Sequence, residues 1–400
     1  MKKYTALRMF AAGSLMSSLM TAAGCSAAFA AQAAPARSDG SSGSFNAQFG
    51  TGENLAWFNV DTGQVFSTAS GGYIAFTVPY KVRSWNGQSL HAYNFTDITV
   101  QPGVNLKIYG SSPAMFLART NISIAGQFHF ANDVGAGGAA PSSSASPYNG
   151  GAGLSPAGKF SGGGGGGGQI GQTEGCDVSE TITAGGGGGG GNFVAGADGL
   201  VGDYPADAPG PITHNARGKG GPVEVQSKLQ GGAGGGAGGG GYFNGEFWGF
   251  AGGNGGGAVV LSSAGTTTIV SGGIVDTSGV AGASSANGSG SSGGGAGGDA
   301  WFYSVGAFVN DGTLNLSGGA GGSTTYTSLN KACKKQVTVA GPNGGAGSGG
   351  FLQIEAPSIT NDGTIEAPNG DGSTGGLVSM IGKVAHGGRI IGADTWAIPK

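Results

Sequence analysis

The residue types that most often carry chemistry are sparse in this chain and far apart. Its four histidines are His91, His129, His214 and His386, and none has a second histidine at metal-binding spacing. Cys176 and Cys333 have no CxxC partners, so a zinc site is not assigned. Asp203 and Asp207 are close in Asp-Tyr-Pro-Ala-Asp, and Glu174, Asp177 and Glu180 surround Cys176. Glycoside cleavage would need an acid facing a base across one bond. Both groups lie in loop-like sequence with no scaffold to oppose them, and solvated loop carboxylates are the plainer reading. Asp299, in Gly294-Gly-Ala-Gly-Gly-Asp-Ala-Trp-Phe302, matches a calcium-binding nonapeptide once. Such sites share each ion between tandem copies, so a turn into the strand holding Trp301 is expected instead. Asn369-Gly-Asp371-Gly lacks the glutamate of an EF-hand loop. Gly-x-Gly-x-x-Gly recurs, but never in a strand-turn-helix setting. No catalytic residue, metal site or cofactor site is assigned.

The remaining chemistry-bearing cluster is aromatic. Tyr242, Phe243, Phe247, Trp248 and Phe250 fall within nine residues flanked by glycine. That is too apolar for a free loop. Packing onto the flank of the fold is the plainer reading. An exposed platform for a sugar ring or a protein partner is the functional one.

Composition and compartment narrow the classes. The chain has 400 residues, including 92 Gly and 15 Pro, and only 10% are charged, so nucleic-acid binding is not expected. Met1-Lys2-Lys3 with Arg8, an apolar run from Met9 to Met20, and Ala28-Phe29-Ala30 make residues 1–30 a signal peptide. The mature chain then begins near Ala31 and is secreted or surface-exposed. Cleavage before Cys25 to give a lipoprotein is the less favoured alternative. No later stretch is apolar over the ~20 residues of a membrane-spanning helix. Secretion with two remaining cysteines predicts one disulfide, Cys176–Cys333.

A repeated phrase then implies a scaffold. It reads Gly126-Gln-Phe-His-Phe-Ala, Gly273-Ile-Val-Asp-Thr-Ser, Gly312-Thr-Leu-Asn-Leu-Ser and Gly363-Thr-Ile-Glu-Ala-Pro, with a decayed copy at Gly388-Arg-Ile-Ile-Gly. Aligned strands precede each copy, such as Thr267-Thr-Ile-Val-Ser and, earlier, Ala258-Val-Val-Leu-Ser. Period-two alternation sends Phe128, Phe130, Val275, Thr277, Leu314, Leu316, Ile365 and Ala367 inward as a core column. His129, Asp276, Asn315 and Glu366 then point outward. Units of three short strands imply an all-β solenoid, a parallel β-helix that is right-handed by the crossover rule. Residues 31–95 read as an N-terminal cap, 96–131 as first rungs, 132–255 as a glycine-rich insertion and 256–400 as C-terminal rungs. Trp396 is placed in a lid.

Insertions 132–255, 279–297, 318–349 and 369–375 all leave the same corner of a rung. Two seven-glycine tracts, Gly162–Gly168 and Gly185–Gly191, lie within the first. These segments are either flexible linkers or extended chains packed side by side in a polyglycine-II-like sheaf, which glycine alone allows. The second reading is favoured, because a common corner also brings together the insertions that hold Cys176 and Cys333.

Asn94-Phe-Thr-Asp-Ile-Thr-Val-Gln-Pro-Gly-Val-Asn-Leu, and Asn121-Ile-Ser-Ile-Ala-Gly followed by glycine, resemble bacterial secreted glycine-rich β-helix proteins of adhesin-like type. Ile359-Thr-Asn-Asp-Gly-Thr-Ile-Glu-Ala-Pro is similar to filamentous-haemagglutinin-type repeats. The resemblance covers roughly 94–131 and 256–392. It implies secretion, a β-helix and a role in surface attachment or matrix, and no catalytic residues. The expected function is adhesion or an envelope or matrix component, with a surface glycan or protein partner or self-association. A polysaccharide-binding or polysaccharide-degrading β-helix is the alternative. Ice binding is weaker, since aligned outward threonines are limited to Thr313 and Thr364.

Overall fold

The structure, a computed structural model, describes residues 34–35, 37–47, 55–67, 74–130, 168–171, 181–182, 186–192, 194–200, 218–221, 229–238, 241–243, 246–248, 250–285, 290–330, 335–341 and 343–398. Among them the fold is all-β, with no helix. Its strands form two large curled sheets of 13 and 9 strands and two small ones.

Most pairs in the large sheets are parallel and in register. One ladder runs through Phe45–Ala47, Ile98–Val100, Ile122–Ile124, Thr267–Ile269 and Ala307–Asn310. A second runs through Gln88–Phe95, Ala114–Ala118, Val259–Ser263 and Ala300–Ser304. The long strands Phe351–Asn361 and Gly376–His386 belong to both, which merges the two ladders into the 13-stranded sheet. The register between those two strands shifts from Glu355 to Ser358, around Pro357, which cannot donate to a ladder. A third ladder joins Leu55–Asn59, Asn105–Tyr109, Gln127–Phe130, Ile274–Asp276, Thr313–Asn315, Thr364–Glu366 and Arg389–Ile391.

Phe128, Val275, Leu314 and Ile365 pair in register along the third ladder, and all are at most 2% exposed. Phe130, Thr277, Leu316 and Ala367 are buried as well. With Phe58, Phe116, Phe302 and Leu106 they belong to one core cluster between the sheets, except Thr277, whose hydroxyl donates to the Gly298 carbonyl at 3.3 Å. Burying each such large apolar side chain contributes roughly 1.5–3 kcal/mol. At the turns the stack is polar and only partly satisfied, since Asn310 Oδ1 and Asn361 Nδ2 have no hydrogen-bond partner among the described residues. The Asn310 amide donates to Asn361 Oδ1 at 2.7 Å, with both residues fully buried.

In the N-terminal region, read from the sequence as an irregular cap, part of the pairing is antiparallel. Leu55–Asn59, Gln64–Ser67 and Ile74–Thr77 form an antiparallel meander, and Tyr80–Trp85 pairs antiparallel with Gln88–Phe95. The cause is local turn chemistry. Asn86 and Gly87 have φ of 50° and 71°, the two positive values that a tight two-residue hairpin needs. Trp396 lies in the strand Ala393–Ile398, which pairs parallel with Gly376–His386, and is 38% exposed.

The second ladder is buried on both faces, as its all-apolar strand Ala114–Ala118 requires. Its outward Met115, Val260 and Trp301 form a second cluster with Trp85, Leu90 and Leu229. Leu229 comes from the largest insertion, and its carbonyl accepts from Gln88 Nε2 at 2.9 Å.

The described parts of the glycine-rich tracts are held by backbone hydrogen bonds. They follow Gln127–Phe130, Ile274–Asp276, Thr313–Asn315 and Thr364–Glu366, neighbours in the third ladder, and so leave it side by side. Segment 290–299 is fully buried at the centre. Its Gly293 and Ala296 amides donate to 229–238, Gly294 and Gly297 to 343–350, and Gly295 and Gly298 to 277–285, at 2.8 to 3.0 Å. Carbonyls of the same segment accept from 186–192, 250–258 and 316–323. The donors change neighbour with a period of three residues, the period of a polyproline-II chain. The six surrounding segments also bond to one another in a closed ring: 250–258 to 277–285, then 316–323, 343–350, 186–192, 229–238 and back to 250–258. Six neighbours around one chain is hexagonal packing. Ser291, Ser292 and Ala296 fit within it, but side chains at particular glycines would prevent it. A Cβ on Gly295 would lie 2.0 Å from the Asn254 carbonyl oxygen, and one on Gly293 equally close to that of Gly188.

Candidate functional site

The outer face of the third ladder carries the one row of side chains with functional character that the described residues assemble from several repeats. Alternation places it there. Where Phe128, Val275, Leu314 and Ile365 point inward, their neighbours point out. In register the outward row reads Trp57, Lys107, His129, Asp276, Asn315 and Glu366. Beside it runs a row of Asn105, Gln127, Ile274, Thr313 and Thr364. The two rows line an open groove of about 690 Å³.

Two details position this face. Asp276 and Asn315 each end their strand by capping the turn that follows. Asp276 Oδ1 accepts from the Ser278 amide at 2.9 Å, and Asn315 Oδ1 accepts from the Ser317 amide at 3.1 Å and its hydroxyl at 2.6 Å. The pattern Asx-x-Ser therefore marks where strand gives way to glycine tract. The second detail is a hydrogen-bonded pair across rungs. His129 Nδ1 lies 2.7 Å from Asp276 Oδ2, with both side chains part-buried. Burial pushes the Asp276 carboxyl up, but hydrogen bonds from His129 and Ser278 and attraction to the imidazole outweigh it. The carboxyl is held below the usual carboxylate range.

At one end the face turns aromatic. Trp57 is paired with Phe66 across the antiparallel meander, and both are part-exposed. Directly opposite residues in a sheet share a face, with Cβ atoms about 5 Å apart. Sequence reasoning assigned the outward direction of His129, Asp276, Asn315 and Glu366. It missed Trp57, Lys107 and Phe66, because the first strand carries no glycine phrase to align.

The other sequence candidates lie elsewhere. Tyr242, Phe243, Phe247 and Trp248 sit in the hairpin Gly241–Phe243 and Glu246–Trp248, with Tyr242 opposite Phe247. Phe250 is part-exposed. Asp203, Asp207, Glu174, Asp177, Glu180, His214, Cys25, Cys176 and Cys333, and the signal peptide, lie outside the described residues. Strand Thr181–Ile182 lies close to Lys335–Gly341. Asp299 is fully buried and does more than open a strand. Its carboxylate accepts from Asn192 Nδ2 at 3.1 Å and the Gln230 amide at 2.8 Å, fastening two glycine segments to a third. His386 takes the place of Asn361 one rung on. Among the described residues no cluster of three or more His, Cys, Asp or Glu could hold a metal ion, and no helix is long and apolar enough to cross a membrane.

The chain matches no protein-family model, no curated protein and no solved structure.

Proposed function

We propose that this chain is a secreted or cell-surface interaction protein of bacteria, an adhesin or a component of matrix or envelope. Its scaffold in this reading is a right-handed parallel β-helix, with a polyglycine-II-like sheaf emerging along one edge. The reading extends to the resemblance to glycine-rich β-helix adhesins, to cleavage near Ala31 and to a Cys176–Cys333 bridge. One observation carries it. Successive copies of one phrase stack in register, so that a buried column on one side is matched by a part-exposed, mostly polar row on the other. A repeat that serves packing alone needs the column and gives no reason for a continuous groove lined by amides, hydroxyls and charges. Binding is favoured over catalysis because the best-placed carboxylate, Asp276, is committed to His129 and to the turn at Ser278.

The test is localisation followed by attachment. A tagged full-length chain produced in a bacterial host is expected outside the cytoplasm, shortened by about the length of the signal peptide. Beads coated with the mature chain are expected to adhere to cell surfaces or matrix. Retention in the cytoplasm at full length, or beads that adhere no better than uncoated ones, would refute the reading.

A further inference from the structure

We propose that the outer face of the third ladder is a binding site for one extended, uncharged, hydroxyl-rich polysaccharide chain, with Trp57 stacking on a sugar ring. This deepens the surface-interaction reading above and rests on it.

Four features select the occupant. The first is period. Parallel strands repeat every ~4.8 Å, so the row from Trp57 to Glu366 presents one polar side chain per rung over about 24 Å. A hexose unit in an extended glycan advances by close to one rung, so one register can be kept along the face. The second is the kind of group presented. Amides at Asn105, Gln127 and Asn315 and hydroxyls at Thr313 and Thr364 suit partners that donate and accept at every unit, as sugar hydroxyls do. The third is charge. Lys107 and Arg389 on this face stand against Asp276 and Glu366, with His129 hydrogen-bonded to Asp276, so there is no strong field of one sign to collect a polyanion. The fourth is the aromatic end, where Trp57 and Phe66 offer a flat apolar patch beside polar groups. Ring faces of sugars carry C–H groups that pack on such surfaces.

An extended peptide fits poorly. It gains affinity by adding to a sheet edge, where backbone groups are free. Here the strands beneath the groove are paired on both sides, so their backbone groups are spent on the ladder.

The test uses the full mature chain and titrates neutral gluco-, manno-, xylo- and galacto-oligosaccharides of increasing length, following tryptophan fluorescence and heat. Polygalacturonate and a pool of extended peptides are run alongside. At least one neutral series is expected to bind, with affinity rising with length until the ladder is spanned. Trp57→Ala should weaken it by about tenfold or more, the scale of an interface hot spot. Gln127→Ala, at an exposed groove residue, should weaken it too, at unchanged melting temperature. Trp396→Ala, at the exposed indole of the other sheet, should leave it unchanged. The proposal is overturned if no neutral glycan binds, or if only polygalacturonate or the peptides bind. It is also overturned if binding survives both Trp57→Ala and Gln127→Ala. Failure here with bead attachment intact removes this site and leaves the surface-interaction reading standing.

Discussion

Two regions of this molecule solve the same problem with opposite materials. The strand stack buries side chains. Phe58, Phe116, Phe128 and Phe302 fill its interior, and the backbone is paired as a consequence. The glycine sheaf buries backbone. Segment 290–299 has almost no side chain to remove from water, yet every residue in it is buried. Its stability must come from hydrogen bonds worth about 1 kcal/mol net each, against the large entropy of ordering glycine. Such a bundle needs density, and the closed ring of six neighbours supplies it. Alternate residues of a strand share one partner strand. In the sheaf successive donors serve three different partners, so each chain is tied in all directions without a hydrophobic face. The stack tolerates changes of side chain that keep volume. The sheaf tolerates no side chain at glycines such as Gly293 and Gly295, where a neighbouring backbone fills the space.

The contrast can be attacked from both sides. Leu316→Asp should have the largest effect, since it puts an unpaired carboxylate into a column 1% exposed. A loss of more than about 4 kcal/mol, seen as failure to fold or to be secreted, is expected. A normal thermal melt would show that Leu316 is not inward. Gly295→Ala should come next, at about 3 kcal/mol, because its new methyl meets the Asn254 carbonyl. Gly272→Ala is the control. Gly272 has open space around it and a φ of 83°, so only backbone strain of about 1 kcal/mol should appear in chemical denaturation. Equal costs at 272 and 295 would mean that the sheaf is loose.

Asp299→Ala should cost about 2–3 kcal/mol by stranding the Asn192 and Gln230 donors. Hydrogen exchange should then quicken in 186–192 and 229–238 while the strand Val259–Ser263 stays protected. Uniform quickening would mean that stack and sheaf are one cooperative unit. The smallest effect concerns pH. A carboxyl held below its unfolded value, as Asp276 is, stabilises the fold above the ordinary aspartate pKa of ~3.9. That contribution fades as pH falls through the depressed folded value. Discounted for its part-exposure it is worth about 1 kcal/mol or less. Asp276→Asn should therefore lower the melting temperature slightly at pH 7 and converge with wild type in strong acid. A constant difference down to low pH would detach this stability from the His129 pair.

Much of the strand stack could be read before any coordinates, and the physical reason is periodicity. Leu314 and Leu316 alternate with Thr313 and Asn315, and the glycine phrase repeats the register, so one rung informs the next. The outward direction of the groove row followed from the same alternation. Its aromatic end did not, because Trp57 belongs to an irregular region where turn chemistry, not repetition, sets the strands. The Asn86-Gly87 pair was a readable hairpin signal there that composition obscured. The sheaf was half legible. A shared exit corner can be argued from spacing, but glycine has no alternation to reveal which neighbour each amide serves. Asp299 shows the same limit, since its partners lie about 70 and 107 residues away.

The most direct measurement is amide hydrogen exchange along 290–299 in the intact mature chain. Protection of Gly293, Gly294, Gly295, Gly297 and Gly298 comparable to that of Val259–Ser263 is the expected result. Exchange of those glycines at free-chain rates, with the strands still protected, would contradict it.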